Sequence, residues 1–499
     1  MIQKKIMLWF IICFLILSCS PNPNINELSY FKEAVPVWEE GREKEMNLTL
    51  GFRASFKAKD KQEALVKIAA STLYRVYVNG EFVGSGPARA AHGHYRVDVY
   101  QLDELLVEGE NILAIEVAGY NVNSYYTLDQ PSFLLAEAEV DGETVAATGK
   151  VGHFEAFQLT ERLQNVERYS FQRPFTEYYR IQKGYDKWRT SIESDFKKVN
   201  LTQFEPVSLL ARNVAMPTFD VQEPVALHSI GTLKKTEPER YHKDRSLTAI
   251  GDKLKGFKEN ELEVYPVSLE IQEIHTHTQE IIKEPFTASR IESLEKDRFN
   301  IYDFGTNFSG FIGARLECLE PSRIIFYFDE ILIDDDVKTK QRQSDICNHI
   351  VYELQPGVYD LETIESYTFR YLKLMVMEGE VKIENIYLRK FSYPDNMNAR
   401  FESNNAKLNK IFDAAKQTFR QNSVDVFMDC PSRERAGWLC DSYFSAITER
   451  VLTGRTDVAD NFLENYALPE KFEYLPDGMI PMCYPADHND GVFIQWRKS

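Results

Sequence analysis

Cysteine is scarce, with seven in 499 residues. Cys13 and Cys19 fall in an N-terminal leader. The other five, Cys318, Cys347, Cys430, Cys440 and Cys483, are odd in number and widely spaced. That excludes a disulfide framework and any CxxC metal pattern. Oxidation can join at most one near pair, Cys430 with Cys440, and free buried thiols are the alternative. Basic residues are outnumbered, 58 Lys and Arg against 76 Asp and Glu, for a formal charge of −18. An acidic surface repels phosphate backbones, so no nucleic-acid partner is expected. A Walker loop and a dinucleotide fingerprint are missing. No metal or cofactor is expected either. His92-Gly93-His94 and His275-Thr276-His277 lack a third ligand at zinc-like spacing. Asp334-Asp335-Asp336 reads as a solvated turn.

What the chain does have is apolar and aromatic content, 43% and 13%, with 26 Tyr and 32 Phe. Folding into a core is expected, and the length predicts about two to four domains. Such aromatics suit stacking on sugar rings and equally suit large β-sheets. At the start, Lys4 and Lys5 precede an apolar run from Ile6 to Leu17, too short for a typical membrane span. This is a signal peptide, residues 1–19. Ile16-Leu17-Ser18-Cys19 resembles a bacterial lipobox. That resemblance makes Cys19 the lipidated first residue of an exported lipoprotein, anchored by lipid to the outer membrane on its periplasmic or outer face. A plain secretory leader with an incidental Cys19 is the alternative.

From about 45 to 160 the pattern is β. Val76, Val78, Phe82 and Val83 flank Asn79-Gly80, a two-residue hairpin signal. Many short strands predict an N-terminal β-sandwich. Residues 161–261 read as a mixed region and linker, the charged stretch from Gly231 on being a surface excursion. A second β domain is expected over 262–393, with strands at Ile324 to Phe328 and Tyr371 to Val376. Near Tyr393-Pro394 the period changes. Leu408, Ile411, Phe412, Ala415 and Phe419 form one helical stripe, with Asn404 or Asn405 as its cap. Phe444, Ile447 and Val451 continue in a second helix ending near Gly454. Val458, Phe462 and Tyr466 predict a third.

Between the first two helices lies Asp429-Cys430-Pro431-Ser432-Arg433-Glu434-Arg435-Ala436-Gly437-Trp438-Leu439-Cys440-Asp441. Pro431 and Gly437 make it a loop. Its apolar flanks, Val424, Val426, Phe427 and Met428 before it and Tyr443-Phe444 after it, place the charges in a cleft wall. Glycoside hydrolysis needs one carboxyl held protonated and a second that activates water or attacks carbon. Asp429, Glu434 and Asp441 can raise one another's pKa. Arg433 and Arg435 can hold carboxylates or hydroxyls, and Trp438 offers a ring face. A structural ion-pair network has the same composition.

The pattern Asp-Cys-Pro-x-Arg, Glu-Arg-x-Gly-Trp and a final Asp resembles the signature of the α-L-rhamnosidases of glycoside hydrolase family 78. The resemblance extends to Tyr302-Asp303-Phe304-Gly305, Phe369-Arg370-Tyr371, Arg400 to Asn404, and Val76 to Gly80. It implies β-sandwich domains followed by an (α/α)6 six-hairpin barrel. It implies an inverting glycosidase, Glu434 as general acid, and Asp429, Arg433, Trp438 and Asp441 on the carbohydrate substrate, a rhamnose-containing glycan. Two departures bear on the sugar. Many members have one more residue between the positions of Arg433 and Glu434, and Leu439-Cys440 replaces a common Thr-Gly. Asp487, His488, Asp490 and Trp496 lie where the family lines its pocket, or form a surface loop. Residues 397–499 have room for about a quarter to a third of twelve helices. The chain is therefore expected to be incomplete, inactive alone and without the family's general base. A non-catalytic carbohydrate-binding lipoprotein, or a six-hairpin glycosidase for another sugar, is the alternative reading.

Overall fold

In the computed structural model, the described residues are 30–487 except 194–195, 206, 289, 339–345 and 473–474. Cys19, His488, Asp490 and Trp496 lie outside them. The described residues from Glu33 onward belong to one unit.

Asn79 and Gly80 both adopt positive φ, 53° and 86°. This closes a tight turn between strands Leu73–Val78 and Glu81–Gly86, which pair antiparallel. The hairpin belongs to a five-stranded sheet whose middle is Leu48–Ala58, Gly109–Gly119 and Leu73–Val78. A seven-stranded sheet centred on Ala64–Ser71, Phe133–Val140 and His94–Gln101 faces it. Val66 and Ile68 from one sheet pack with Leu50, Phe52, Leu113 and Ile115 from the other. That shared apolar layer is what makes the pair a sandwich.

The second β region is an eleven-stranded sheet built on the 21-residue strand Arg298–Cys318. Ser322–Asp329 and Tyr367–Glu378 contain the two strands expected there. Asp303 accepts two 2.8 Å bonds from Arg370 and one from the N–H of Gly305, whose φ is 83°. The quoted Asp-Phe-Gly and Phe-Arg-Tyr segments are thus two halves of one ion-paired corner.

Residues 161–261 do not form a separate linker. Tyr178–Ile181 pairs parallel with His349–Leu354 in the large sheet. Leu201–Gln203 and Ser208–Ala211 return to the first sandwich. Ala226–Lys235, running into the stretch expected as a surface excursion, pairs with Arg298–Cys318. Tertiary pairing overrides the polar composition, because a strand needs only one apolar face.

Among the described residues the long helices are α1 (Ala406–Asn422), α2 (Leu439–Thr453) and α3 (Asp457–Ala467), with single-turn helices at Arg245–Thr248 and Val267–Glu270 in the β region. Asn405 caps α1 through the N–H of Lys407 at 3.0 Å. Gly454, at φ 73°, ends α2. Glu449 of α2 accepts the N–H groups of Val458 and Ala459 at 2.8 and 3.0 Å. It satisfies the orphan donors of the α3 N-terminus and locks the two helices together. Phe419, Leu452, Val458 and Phe462 pack with Phe427. Leu408, Ile411, Phe444, Ile447 and Val451 are exposed. Half of the expected apolar stripe therefore faces outward among the described residues. No helix among them is long and apolar enough to cross a membrane.

Candidate active site

The loop from Ser423 to Trp438 joins α1 to α2 and folds back on itself. The Asp429 N–H donates to the Ala436 carbonyl at 3.1 Å, and the Arg435 N–H to that of Cys430 at 3.1 Å. Arg435 makes the reversal at φ 58°, a region that favours glycine. Gly437 is needed for room rather than for φ. A Cβ there would sit 2.8 Å from the Tyr484 carbonyl, which lies on the strand-like segment bridging Trp438 to Cys483.

These reversals put Glu434 inside, 4% exposed. Its Oε1 accepts the Trp438 indole N–H at 2.9 Å and Arg433 Nη2 at 3.2 Å. Its Oε2 accepts from the Gln172 side-chain amide. Asp429 stands beside it. Arg433 Nη2 reaches Asp429 Oδ2 at 3.4 Å, while Asp429 Oδ1 is buried with no hydrogen-bond partner. The Asp429 carboxyl is pushed up to about 8, first by burial and then by the hydrogen bond and negative charge of Glu434. Two adjacent carboxyls cannot both ionise cheaply, so the pair holds one proton at neutral pH. Burial, with the Asp429 charge next, also pushes the Cys430 thiol up to about 12, so it stays protonated.

Arg433 is half-exposed, Trp438 half-buried, and Asp441 exposed in the first turn of α2. Trp438 packs edge-on to Tyr125 of the N-terminal sandwich, centroids 6.1 Å apart. Asp487 lies apart from the carboxyl pair's hydrogen bonds. It binds His92 at 2.7 Å and the Asp129 N–H at 2.8 Å. His92, set aside as a metal ligand in the sequence, thus ties the C-terminal segment to the first sandwich. Cys430 and Cys440 are not joined in a disulfide, nor are Cys318, Cys347 and Cys483.

Groups distant in sequence hold the loop. Arg89 forks onto Asp425 at 2.6 to 3.1 Å and donates to the Arg435 carbonyl at 2.8 Å. Although burial opposes it, the Arg89 charge and hydrogen bonds hold Asp425 down at about 2. Glu365, 2% exposed, receives Arg173 at 3.3 Å, Arg435 at 3.2 Å, Tyr120 Oη at 2.9 Å and Tyr126 Oη. Arg173 also donates to the Ser432 carbonyl at 3.1 Å. Both β regions therefore form the floor of the loop. Gln172, Arg173, Glu365 and Arg89 carried no local sequence signal, because their partners are far along the chain. Asp425 lay among the quoted residues before the motif but had no visible partner. Asp429, Cys430 and Glu434 can bring ligand atoms within 4.8 Å of one another. Arg433 already supplies the positive charge at this spot.

Residues 396–499 match the family described as the bacterial α-L-rhamnosidase 6 hairpin glycosidase domain. An α-L-rhamnosidase of Alteromonas sp. (strain LOR) is 25% identical over 202 residues, 39% of this chain and 20% of that enzyme. The fold resembles the family 78 rhamnosidase of Bacillus sp. GL1, with TM-score 0.72 and 19% identity, over 92% of this chain and 65% of that one. It also resembles the Streptomyces avermitilis α-L-rhamnosidase solved with L-rhamnose, with TM-score 0.57 and 17% identity, over 89% of this chain and 38% of that one. The matched stretch is thus a fifth of the curated relative's length, and the chain covers under two thirds of the Bacillus structure. Two β regions, then the three long helices within 406–467 with the carboxyl loop between the first two, give this chain the fold of the family 78 α-L-rhamnosidases, its residues 396–499 matching their six-hairpin glycosidase domain.

Proposed function

We propose that the chain supplies the acid half of an inverting glycosidase that cleaves terminal α-L-rhamnosyl residues. The buried Asp429–Glu434 pair carries this reading. A leaving glycosidic oxygen needs a proton at neutral pH, and a carboxyl raised to about 8 beside a second carboxyl keeps one available. Glu434 donates it, and Asp429 replenishes Glu434 across their hydrogen bond. Arg433, Trp438 and Asp441 hold the sugar. The water-activating carboxyl is assigned to no residue of this chain. Support for the sugar comes from the Streptomyces avermitilis enzyme, solved with L-rhamnose. We also place Cys19 as a lipid anchor on an exported chain. Loss of membrane-fraction partitioning in Cys19→Ala is the expected result, and unchanged partitioning refutes the anchor.

Two measurements test the enzyme reading. L-Rhamnose binding to this chain by calorimetry is expected, and it should weaken at least tenfold in Trp438→Ala. In a version carrying a full set of barrel helices, Glu434→Gln should lower turnover of an aryl α-L-rhamnoside by roughly 10²–10⁴-fold. Wild-type turnover in that variant overturns the acid assignment. Binding of another sugar in place of L-rhamnose overturns the substrate.

A further inference from the structure

Outside the acid loop, one buried cluster has no role so far. Glu167, Cys347 and His349 bring a carboxylate oxygen, a sulfur and a ring nitrogen within 4.8 Å of one another. All three are buried, at 2%, 3% and 2% exposure. The His349 ring is the anomaly. Neither nitrogen has a hydrogen-bond partner, and Nε2 lies 3.9 Å from Glu167 Oε1. A buried imidazole normally donates from one nitrogen and accepts at the other. A ring with both nitrogens bare, facing a carboxylate and a sulfur, lacks a partner that binds all three.

We propose that Glu167, Cys347 and His349 form a structural site for a divalent cation of the zinc class. Sulfur, imidazole and carboxylate are zinc's ligand types. Tetrahedral bonds of ~2.0–2.3 Å place ligand atoms ~3.3–3.8 Å apart, so the 3.9 Å approach of Nε2 to Oε1 needs a shift of tenths of an ångström, and the sulfur, within 4.8 Å of both, one of at most about 1.5 Å. On binding, the Cys347 thiol loses its proton to solvent and the sulfur bonds the cation. Thiolate and carboxylate then cancel the double positive charge, which suits a buried position. A water takes the fourth place. The carboxylate is already aimed: the Ser268 N–H donates to Glu167 Oε1 at 2.7 Å and its hydroxyl to Oε2 at 2.5 Å. Such outer contacts orient metal ligands.

The site sits where it can serve the acid loop. Glu167 begins the hairpin-like segment that continues through Gln172 and Arg173, the groups touching Glu434 and Ser432. Cys347 donates its N–H to the Tyr169 carbonyl at 2.8 Å, and Thr176 Oγ1 donates to the His349 carbonyl at 3.1 Å. A cation there staples this segment to the strand His349–Leu354 of the large sheet. The sequence hides the site, since Glu167 is far from the Cys347-Asn348-His349 stretch and no zinc-like spacing appears.

The test uses the full chain loaded with Co²⁺ alone. The expected result is a thiolate-to-cobalt charge-transfer band at one cobalt per chain, competed away by Zn²⁺. Cys347→Ser should abolish the band, and Cys430→Ser, in the other close Cys and carboxylate group, should keep it. Absence of the band in the wild-type chain overturns the proposal. So does a band that survives Cys347→Ser. Should that variant fail to fold, His349→Gln supplies the second reading, with retention of the wild-type band counting against the site. Neither outcome depends on glycosidase activity, so failure here leaves the acid-loop reading standing.

Discussion

Replacing Asp429 by Asn should change how stability depends on pH. In the folded chain the Asp429 carboxyl is raised from the ordinary aspartate range to about 8, by burial first and then by Glu434. Between about pH 4 and pH 8 the folded state therefore keeps a proton that the unfolded chain has released. Raising the pH through that window forces the proton off and lowers stability. One proton of difference is worth up to about 1.4 kcal/mol per pH unit, so the whole window carries several kcal/mol as an upper bound. Asparagine cannot ionise, and its amide can still donate to Glu434. The urea midpoint of wild type, followed from pH 5 to pH 8, should fall relative to that of Asp429→Asn by the equivalent of about 1 kcal/mol per unit. Glu434→Gln should flatten the slope as well, because the proton belongs to the pair. Parallel pH curves for wild type and Asp429→Asn would refute the shared proton, and with it the acid reservoir beside the leaving group.

Glu365→Ala should cost about 3–5 kcal/mol by urea denaturation, because the guanidiniums of Arg173 and Arg435 lose their buried carboxylate. Glu365→Gln should cost less, since its carbonyl still accepts; equal losses would argue against a charge role. Gly437→Ala should lower the thermal midpoint by the equivalent of about 1–3 kcal/mol, since the Cβ meets a backbone carbonyl rather than a movable side chain. An unchanged midpoint would show that the Tyr484 segment yields.

The order of the architecture was legible in the sequence because it rests on local rules. Asn79-Gly80 takes positive φ at little steric cost, so the hairpin forms where those residues stand. The helical period after Tyr393 and the caps at Asn405 and Gly454 are equally local. The motif lies in a loop from Asp429 to Trp438, interrupted by Pro431 and Gly437, and its last residues, Leu439 to Asp441, open α2. Its residue identities pointed to glycosidase chemistry before any geometry.

Tertiary structure decided which carboxyls share a proton. Composition put Asp429, Glu434 and Asp441 together as equals. Folding buried the first two side by side, exposed the third, and brought Gln172 from the β region onto Glu434. It also drew residues 161–261 into two sheets, where the sequence pointed to a linker. The physical reason is common to both. A residue's own neighbours set its backbone preferences, whereas desolvation, charge pairing and sheet partnership depend on groups that only the folded chain brings within reach.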